Sequence, residues 1–241
     1  MALVDWIPVL LRPSLLLLTV HFFMTILEAV FVHPNPSLLF NLSALREKSF
    51  GRLWINNDEA MSVGMPGPIN VLLKTAHGVV LDVGPGSGEQ LSRFDPAKIG
   101  VMHGAEPNIH LLPGLLRIAE KVGFDRKYRA LQCGGEPESL IPALAKAGAL
   151  KDVPRPEETI QGLYRLLKPG GRLIVCEHLA NPWRDGIGSF LALIFQAIYA
   201  LLGWSFWLGG CNIDQDTAKF LRAGARMEGW AKAELEYETQ A

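Results

Sequence analysis

The sequence predicts an α/β fold in which a doubly wound, mostly parallel sheet is covered by helices. Two observations support this prediction. From residue 78 onward, short apolar segments alternate with longer amphipathic segments, as strands and helices do in such sheets. In addition, the first strand candidate runs directly into the glycine-rich stretch VGPGSG (83–88), which is typical of a ligand-binding turn between a strand and a helix.

The individual elements follow from hydrophobic periodicity. Short apolar runs predict strands at 78–83, 99–105, 128–133, 171–179 and 231–238. Longer amphipathic stretches predict helices at 88–94, 108–122, 138–147, 157–168, 187–208 and 214–225. The last strand candidate alternates apolar and charged residues, which indicates a half-exposed edge strand.

The predicted sheet lacks two strands. Between the helix candidates that end at Ala147 and begin at Glu157, the sequence GALKDVPRP contains no β-branched run that suits a strand. A doubly wound sheet normally has a strand at this point. After 231–238 no further strand is visible, so we expect a sheet without one central strand and without its last strand.

The N-terminal part is strongly apolar. Residues 13–32 contain one charged residue, Glu28, and are long enough for a membrane-spanning helix. We therefore expect residues 1–33 to form an N-terminal apolar helix that anchors the protein in membrane lipid, and residues 34–241 to form the α/β domain. A signal peptide and an apolar helix packed on the domain are the alternatives.

A second apolar stretch runs from Gly186 to Ile213 without a charge. Strand-like sequence on both sides favours a buried or lid helix within the domain. The alternative is an interfacial helix with Trp204 and Trp207 at the level of the lipid headgroups.

Composition excludes several classes of partner. The net charge is −1 and no run of Lys and Arg is present, which argues against nucleic acid. Cys133, Cys176 and Cys211 are spaced too widely for paired zinc ligands, so no metal is expected. Their odd number favours a reducing compartment. Together with the anchor, this predicts a membrane-associated protein with a cytosol-facing domain, and the endoplasmic reticulum is one candidate membrane.

The spacing of the glycines in this loop argues against three known classes of site. Gly84, Gly86 and Gly88 give G-x-G-x-G, whereas dinucleotide-binding loops have G-x-G-x-x-G. A P-loop would need a Lys and a Ser or Thr after the last glycine. A nucleophile elbow would need glycines two residues before and after Ser87, which the sequence does not have.

Two acids stand at the carboxyl ends of the first two strand candidates. Asp82 stands two residues before the glycines, where a carboxylate accepts a hydrogen bond from an ammonium group or a water but repels a phosphate. Glu106 ends the second strand, where a carboxylate can bind both hydroxyls of a ribose. The turn at Gly135 and Glu136 lies at the same edge and can border an adenine ring. These residues predict a nucleoside ligand that carries positive charge.

The same residues resemble class I S-adenosylmethionine-dependent methyltransferases. The resemblance extends to LYRLLKPGGRLIVCEHL (163–179) and covers residues 70–230. The "EHL" that ends this stretch, with GGCNIDQDTAKFLRAGA (209–225), is similar to membrane-associated methyltransferase-like thiol methyltransferases, ubiquinone-type enzymes and small-molecule methyltransferases of fungal secondary metabolism.

The resemblance implies a Rossmann-like fold and methyl transfer to a small, hydrophobic acceptor through oxygen, nitrogen or sulfur, in secondary metabolism. It also implies that Asp82 and the backbone at 84–88 hold the methionine moiety of S-adenosylmethionine. By the same likeness, Glu106 binds the ribose, and Gly135 with Glu136 borders the adenine.

A general base is needed only where the acceptor has a high pKa, and His178, beside Glu177, is the candidate. A histidine hydrogen-bonded to backbone at the end of a strand is the alternative. Cys211 and Asn212 are candidates to line the acceptor pocket, although an N-cap at Asn212 or Asp214 would explain the same residues.

The shortened sheet keeps a second function open, that of a cofactor-binding or scaffolding relative that no longer completes the reaction. A third hypothesis is a nucleotide-dependent oxidoreductase, which the glycine spacing disfavours.

Overall fold

The computed structural model describes residues 13–63, 67–149, 163–164, 166–176, 180–181, 183, 189–208, 212–215, 217–224 and 230. The chain divides into two compact units, one comprising residues 1–56 and 178–216 and the other residues 57–177 and 217–241. The predicted boundary at residue 33 separates a membrane anchor from the α/β domain, and it stays a prediction.

The described residues form short strands and helices. The strands are β1 (Gly78–Val83), β2 (Ile99–Ala105) and β3 (Tyr128–Leu131). The α-helices are α1 (Pro13–Leu27), α2 (Pro36–Leu39), α3 (Leu42–Val63), α4 (Gly67–Leu73), α5 (Leu112–Lys121), α6 (Pro137–Lys146), α7 (Phe190–Leu201), α8 (Trp204–Trp207) and α9 (Thr217–Gly224). A π-helical turn (Glu28–Val32) follows α1, and a 3-10 turn (Glu89–Arg93) follows β1.

The sheet belongs to the second unit. Its described strands are parallel and lie in the order β1-β2-β3. β1 and β2 lie where the sequence predicts them, and β3 ends two residues before the predicted end. A parallel sheet with flanking helices is an α/β, Rossmann-like arrangement, which confirms the predicted fold class at that level.

Each face of the sheet has its own apolar core. Since side chains alternate along a strand, Met102 and Ala105 of β2 point to opposite faces. Met102 belongs to a cluster with Leu115 of α5 and the fully buried Phe124. Ala105 belongs to a second cluster that contains Leu140 of α6. Burial of one such Leu or Phe side chain contributes about 2–3 kcal/mol, so both faces stabilise the edge at which the site lies.

The helix predicted at 88–94 is only a short 3-10 turn. The turn begins after Gly88, whose φ angle is 98°, and Phe94 is already extended. Pro96 follows two residues later, and a proline disfavours helical backbone at the residue before it, here Asp95. Glycine and proline therefore limit this element from both ends.

The strand predicted at 171–179 is wrong for residues 171–176, which form no strand. Arg172 donates from Nη1 to Thr75 Oγ1 (3.1 Å), while Val175 is 39% exposed. An apolar run becomes an interior strand only where a neighbouring strand takes up its backbone hydrogen bonds, and none of the described residues does so here. The missing central strand, the last strand candidate and most of the helix at 157–168 lie outside the described residues, although 163, 164 and 166 are helical.

The first unit is helical. Leu18 of α1 is buried in a cluster with Leu53 of α3 and Trp204 of α8. Glu28 accepts a hydrogen bond from Lys48 Nζ (3.0 Å) and is paired with Arg52, and the bond from Lys48 is the main cause that lowers the pKa of Glu28. Basic residues of α3 therefore neutralise the acid of the apolar segment. Within the described part of the chain, every helix is too short or too polar to cross a membrane.

The apolar stretch 186–213 does not form the single helix predicted at 187–208. Gly203 has a φ angle of 84° and separates α7 from α8. No residue of α7 is fully buried, so this helix is not the buried helix that we expected. The interfacial alternative is wrong for Trp204, which is 8% exposed and packs edge-to-face on Tyr199.

Candidate functional site

The glycine-rich loop turns directly after β1 at the carboxyl edge of the sheet. Gly84, Gly86 and Gly88 have φ angles of 72°, 62° and 98°, a region that is strained for residues with a Cβ. A Cβ at Gly88 would lie 3.1 Å from Leu115 Cδ1, so this glycine also permits close packing on α5. At Gly84, by contrast, no described atom lies within 4 Å of the Cβ position. The loop thus packs tightly at its end and is open at its start, where a ligand can approach the backbone.

Glu106 ties the end of β2 to this loop. The side chain is buried, and its Oε2 accepts a hydrogen bond from the Gly86 N–H (3.1 Å) while Oε1 accepts one from the Asn108 N–H (2.8 Å). These two bonds hold the carboxylate against the backbone of the loop. The structure thus places Glu106 beside the loop, and its binding of a ribose stays a prediction.

Asp82 lies near the carboxyl end of β1, two residues before the first glycine of the loop. The strand register places Asp82 opposite Gly104 of β2. Its Oδ2 atom is buried and accepts no hydrogen bond from any described residue. Burial, and secondarily the charge of Glu106, raises the pKa of Asp82 to about 7. A buried carboxyl without a partner is costly, and a cationic ligand would relieve that cost.

The turn after β3 reaches the same edge. A Cβ at Gly135 would lie 2.8 Å from Val83 Cγ1 at the end of β1, so the glycine has a packing reason of its own. Glu136 is exposed and precedes α6, where its carbonyl accepts a hydrogen bond from the Ser139 N–H (3.0 Å). The structure brings Gly135 close to the end of β1, where the glycine loop begins, and the predicted contact of both residues with adenine stays a prediction.

Two other predicted site residues, His178 and Cys211, lie outside the described residues. The N-cap expected at Asn212 or Asp214 is wrong, because α9 begins only at Thr217. Residues 212–215 instead form no helix, the backbone bends at 213 and 214, and the Gln215 carbonyl accepts a hydrogen bond from the Ala180 N–H (2.9 Å). Among the residues that the structure describes, no cluster of three His, Cys, Asp or Glu side chains could hold a metal ion.

Sequence reasoning missed one polar group at this edge. Tyr128 of β3 is 6% exposed, and its hydroxyl has no hydrogen-bond partner among the described residues. Both Asp82 and Glu106 lie close enough to raise the pKa of Tyr128, after the larger effect of burial. A tyrosine at the start of a strand, across from a strand that contains a glycine, is the signal that could have indicated this residue. Alone, that signal does not distinguish an ordinary core aromatic from a site residue.

These features define a class of protein: an α/β protein in which an open glycine loop and two buried acids suit a cationic nucleoside. A known protein narrows the class further. The ubiquinone/menaquinone biosynthesis C-methyltransferase UbiE of Azotobacter vinelandii (strain DJ / ATCC BAA-1303) is 28% identical to this chain over 170 residues. The match covers 62% of this chain and 65% of UbiE, so the chain spans less than two thirds of that relative. No protein-family model matches the chain.

This similarity supports the S-adenosylmethionine-dependent methyltransferases as the class to which the chain is related. Methyltransferases like UbiE use S-adenosylmethionine, which is also the cofactor that the family resemblance implies. It is a nucleoside that carries positive charge, the kind of ligand that the loop and the two acids predict. The residues fit this cofactor in two respects. Asp82 offers a buried acceptor without a partner, and the open backbone at Gly84 allows close approach.

Proposed function

We propose that this protein is an S-adenosylmethionine-dependent methyltransferase that acts on a small hydrophobic acceptor through oxygen, nitrogen or sulfur, of the kind that secondary metabolism supplies. The observation that carries the proposal is the buried Asp82 carboxyl, which has no partner among the described residues and lies beside Glu106 under the glycine loop. The similarity to UbiE supports the reaction class. Because that relative is a C-methyltransferase, carbon acceptors belong in the test as well.

When bound, S-adenosylmethionine supplies an activated methyl group that an acceptor nucleophile can take by in-line displacement. The protein then has mainly to bind and orient the reactants and to exclude water. Ionised Asp82 would hold the ammonium group, and the loop at 84–88 would fix the methionine backbone. Glu106 would hold the ribose. Where the acceptor carries a proton, His178 would accept it.

The first test is calorimetry of the purified protein with S-adenosylmethionine and, in parallel, with NAD. We expect saturable binding of S-adenosylmethionine and none of NAD, because the loop lacks the third dinucleotide glycine. If the folded protein bound NAD but not S-adenosylmethionine, an oxidoreductase would replace the proposal. Binding without turnover on a panel of oxygen, nitrogen, sulfur and carbon acceptors would favour the alternative of a non-catalytic cofactor-binding or scaffolding relative.

Membrane association is the second part of the proposal, and the exposed face of α1 supports it. Val20, Phe23, Met24 and Leu27 follow helical spacing and are 45–58% exposed, and Phe31 beyond them is 76% exposed. The opposite face, with Leu18, packs on the helical unit. An uncharged row of this kind suits the acyl region of a lipid surface. The cytosolic orientation and the endoplasmic reticulum stay predictions.

We expect the double substitution Phe23→Glu and Phe31→Glu to reduce co-sedimentation with phosphatidylcholine vesicles at least fivefold, because two charges would have to enter the acyl boundary. The matched control is Leu116→Glu on α5, a residue that is 48% exposed in the other unit. Equal reduction by the control, or no reduction by the double variant, would contradict the assignment of this face.

A further inference from the structure

The position of Tyr128 is unusual for a core aromatic residue. Its ring lies over Gly104 of β2, so closely that a Cβ at Gly104 would clash with the tyrosine hydroxyl and lie 2.5 Å from Cζ. Gly104 pairs with Asp82 on its other side. Neighbouring strands are about 4.8 Å apart, so the hydroxyl lies one strand away from Asp82, and the register puts both side chains on the same face of the sheet.

Donor and acceptor are complementary at this place. Asp82 Oδ2 and the Tyr128 hydroxyl are both buried, and neither has a hydrogen-bond partner among the described residues. Burial and the two acids raise the pKa of Tyr128, so the phenol keeps its proton and can donate. An ionised carboxylate can only accept. The Tyr128 hydroxyl can therefore supply a donor to this site, and the Asp82 carboxylate can supply an acceptor.

Few other charges compete for Asp82. On the elements that pack against this face, the remaining ionisable side chains are Glu89 and Arg93 of the 3-10 turn, and Arg117, Glu120 and Lys121 of α5, the last three being exposed. The charge that acts on the pKa of Asp82 is that of Glu106, an acid. A neutral donor is thus the group that can favour the anionic form of Asp82.

We propose that Tyr128 is a positioning residue whose hydroxyl donates to one bridging water that in turn donates to the Asp82 carboxylate, and so keeps Asp82 ready to receive a cationic group. The hydrogen bond itself does not depend on the proposed methyltransferase function, whereas its use in cofactor binding rests on it. Gly104 is part of the arrangement, because any side chain there would push the hydroxyl away.

The hydrogen bond is tested first in the free protein. Tyr128→Phe removes the hydroxyl but keeps the ring over Gly104. With 13C-labelled aspartate, and with Asp82→Asn to assign the resonance, we expect the titration midpoint of Asp82 to rise by about one pH unit, which is a tenfold change in proton affinity. The matched control is Tyr164→Phe, whose ring packs on Trp230, and it should leave the midpoint unchanged. An unchanged midpoint in folded Tyr128→Phe would overturn the proposal.

The role in binding is tested with S-adenosylmethionine in the same variants. We expect Tyr128→Phe to weaken the affinity at least threefold at pH 6.5 and to approach the native affinity at pH 8, where Asp82 ionises without help. A loss of equal size at both pH values would indicate a packing effect and overturn the positioning role. If native protein did not bind S-adenosylmethionine, the proposed function would fail, and the titration of Asp82 would still decide the hydrogen bond.

Discussion

Asp82→Asn is expected to weaken binding of S-adenosylmethionine by about ten- to hundredfold and, at the same time, to raise the melting temperature of the free protein at pH 8. The loss of affinity follows because the amide carries no charge to hold the ammonium group. A hydrogen bond to a charged group contributes about 1.5–3 kcal/mol, which corresponds to this range of affinity. The substitution changes the shape of the side chain very little, so a loss of this size would report the charge.

The gain in stability follows from the raised pKa of Asp82. An unfolded aspartate titrates near 3.8, whereas burial raises the pKa of Asp82 in the folded protein to about 7. Between these two values the folded state binds more protons than the unfolded state, so stability falls as the pH rises from about 4 to about 7. Native protein should therefore lose about 2–4 kcal/mol over this window. The asparagine variant resembles the protonated acid and should keep that stability.

Thermal unfolding at pH 5 and pH 8, combined with calorimetry at pH 8, measures both effects. We expect a small advantage of the variant in melting temperature at pH 5, where the loss in native protein has only begun, and a larger one at pH 8, where it is complete. The matched control is Asp125→Asn, a substitution of an exposed aspartate beside Arg126, and it should change neither property. A variant that binds as tightly as native protein would show that Asp82 does not face the cofactor.

The affinity of native protein should also depend on pH in a defined way. Below about pH 7 the cofactor must displace a proton from Asp82, so affinity rises with pH up to that point. Above about pH 8 the α-ammonium group of the ligand begins to lose its own proton. Both effects together give a maximum between these values.

Much of the sheet could be predicted because its strands are local in origin. β1 and β2 are short apolar runs bounded by turn residues, and they lie at the predicted positions. The prediction at 171–176 was wrong because an apolar run becomes a strand only through a distant partner, and periodicity carries no information about that partner. The break at Gly203 could not be predicted from periodicity either, because the apolar helix pattern is continuous there and a single backbone angle ends one helix before the next begins.

The candidate site could be predicted in part for a comparable reason. The glycine spacing and the acids at 82 and 106 are visible in the sequence, and the topology of a parallel sheet brings such residues to one edge. The hydrogen bond from Gly86 to Glu106 joins two segments 20 residues apart, and only the fold shows it. Tyr128 is further away in sequence, and its approach to Asp82 depends on Gly104, which no local pattern marks as a site residue.

Gly104→Ala should therefore destabilise the protein more than any other single methyl group added to β2. The new Cβ would clash with the Tyr128 hydroxyl and lie 2.5 Å from Cζ and 2.8 Å from Cε1, so the whole ring would have to move within a packed core. Overpacking of this kind costs about 1–3 kcal/mol, and we expect the melting temperature to fall by about 5 °C. Gly100→Ala in the same strand is the matched control, because among the described atoms its Cβ would meet only the Gly78 carbonyl, at 3.5 Å.

Combining Gly104→Ala with Tyr128→Phe should recover only part of this loss. The phenylalanine removes the hydroxyl but leaves the two ring carbons in the way of the new Cβ. In addition, Gly104→Ala alone should raise the titration midpoint of Asp82 as Tyr128→Phe does, since both changes separate the hydroxyl from the carboxylate. Gly100→Ala should leave that midpoint unchanged. Full recovery in the double variant, or equal melting temperatures for Gly104→Ala and Gly100→Ala, would mean that the ring does not lie over Gly104.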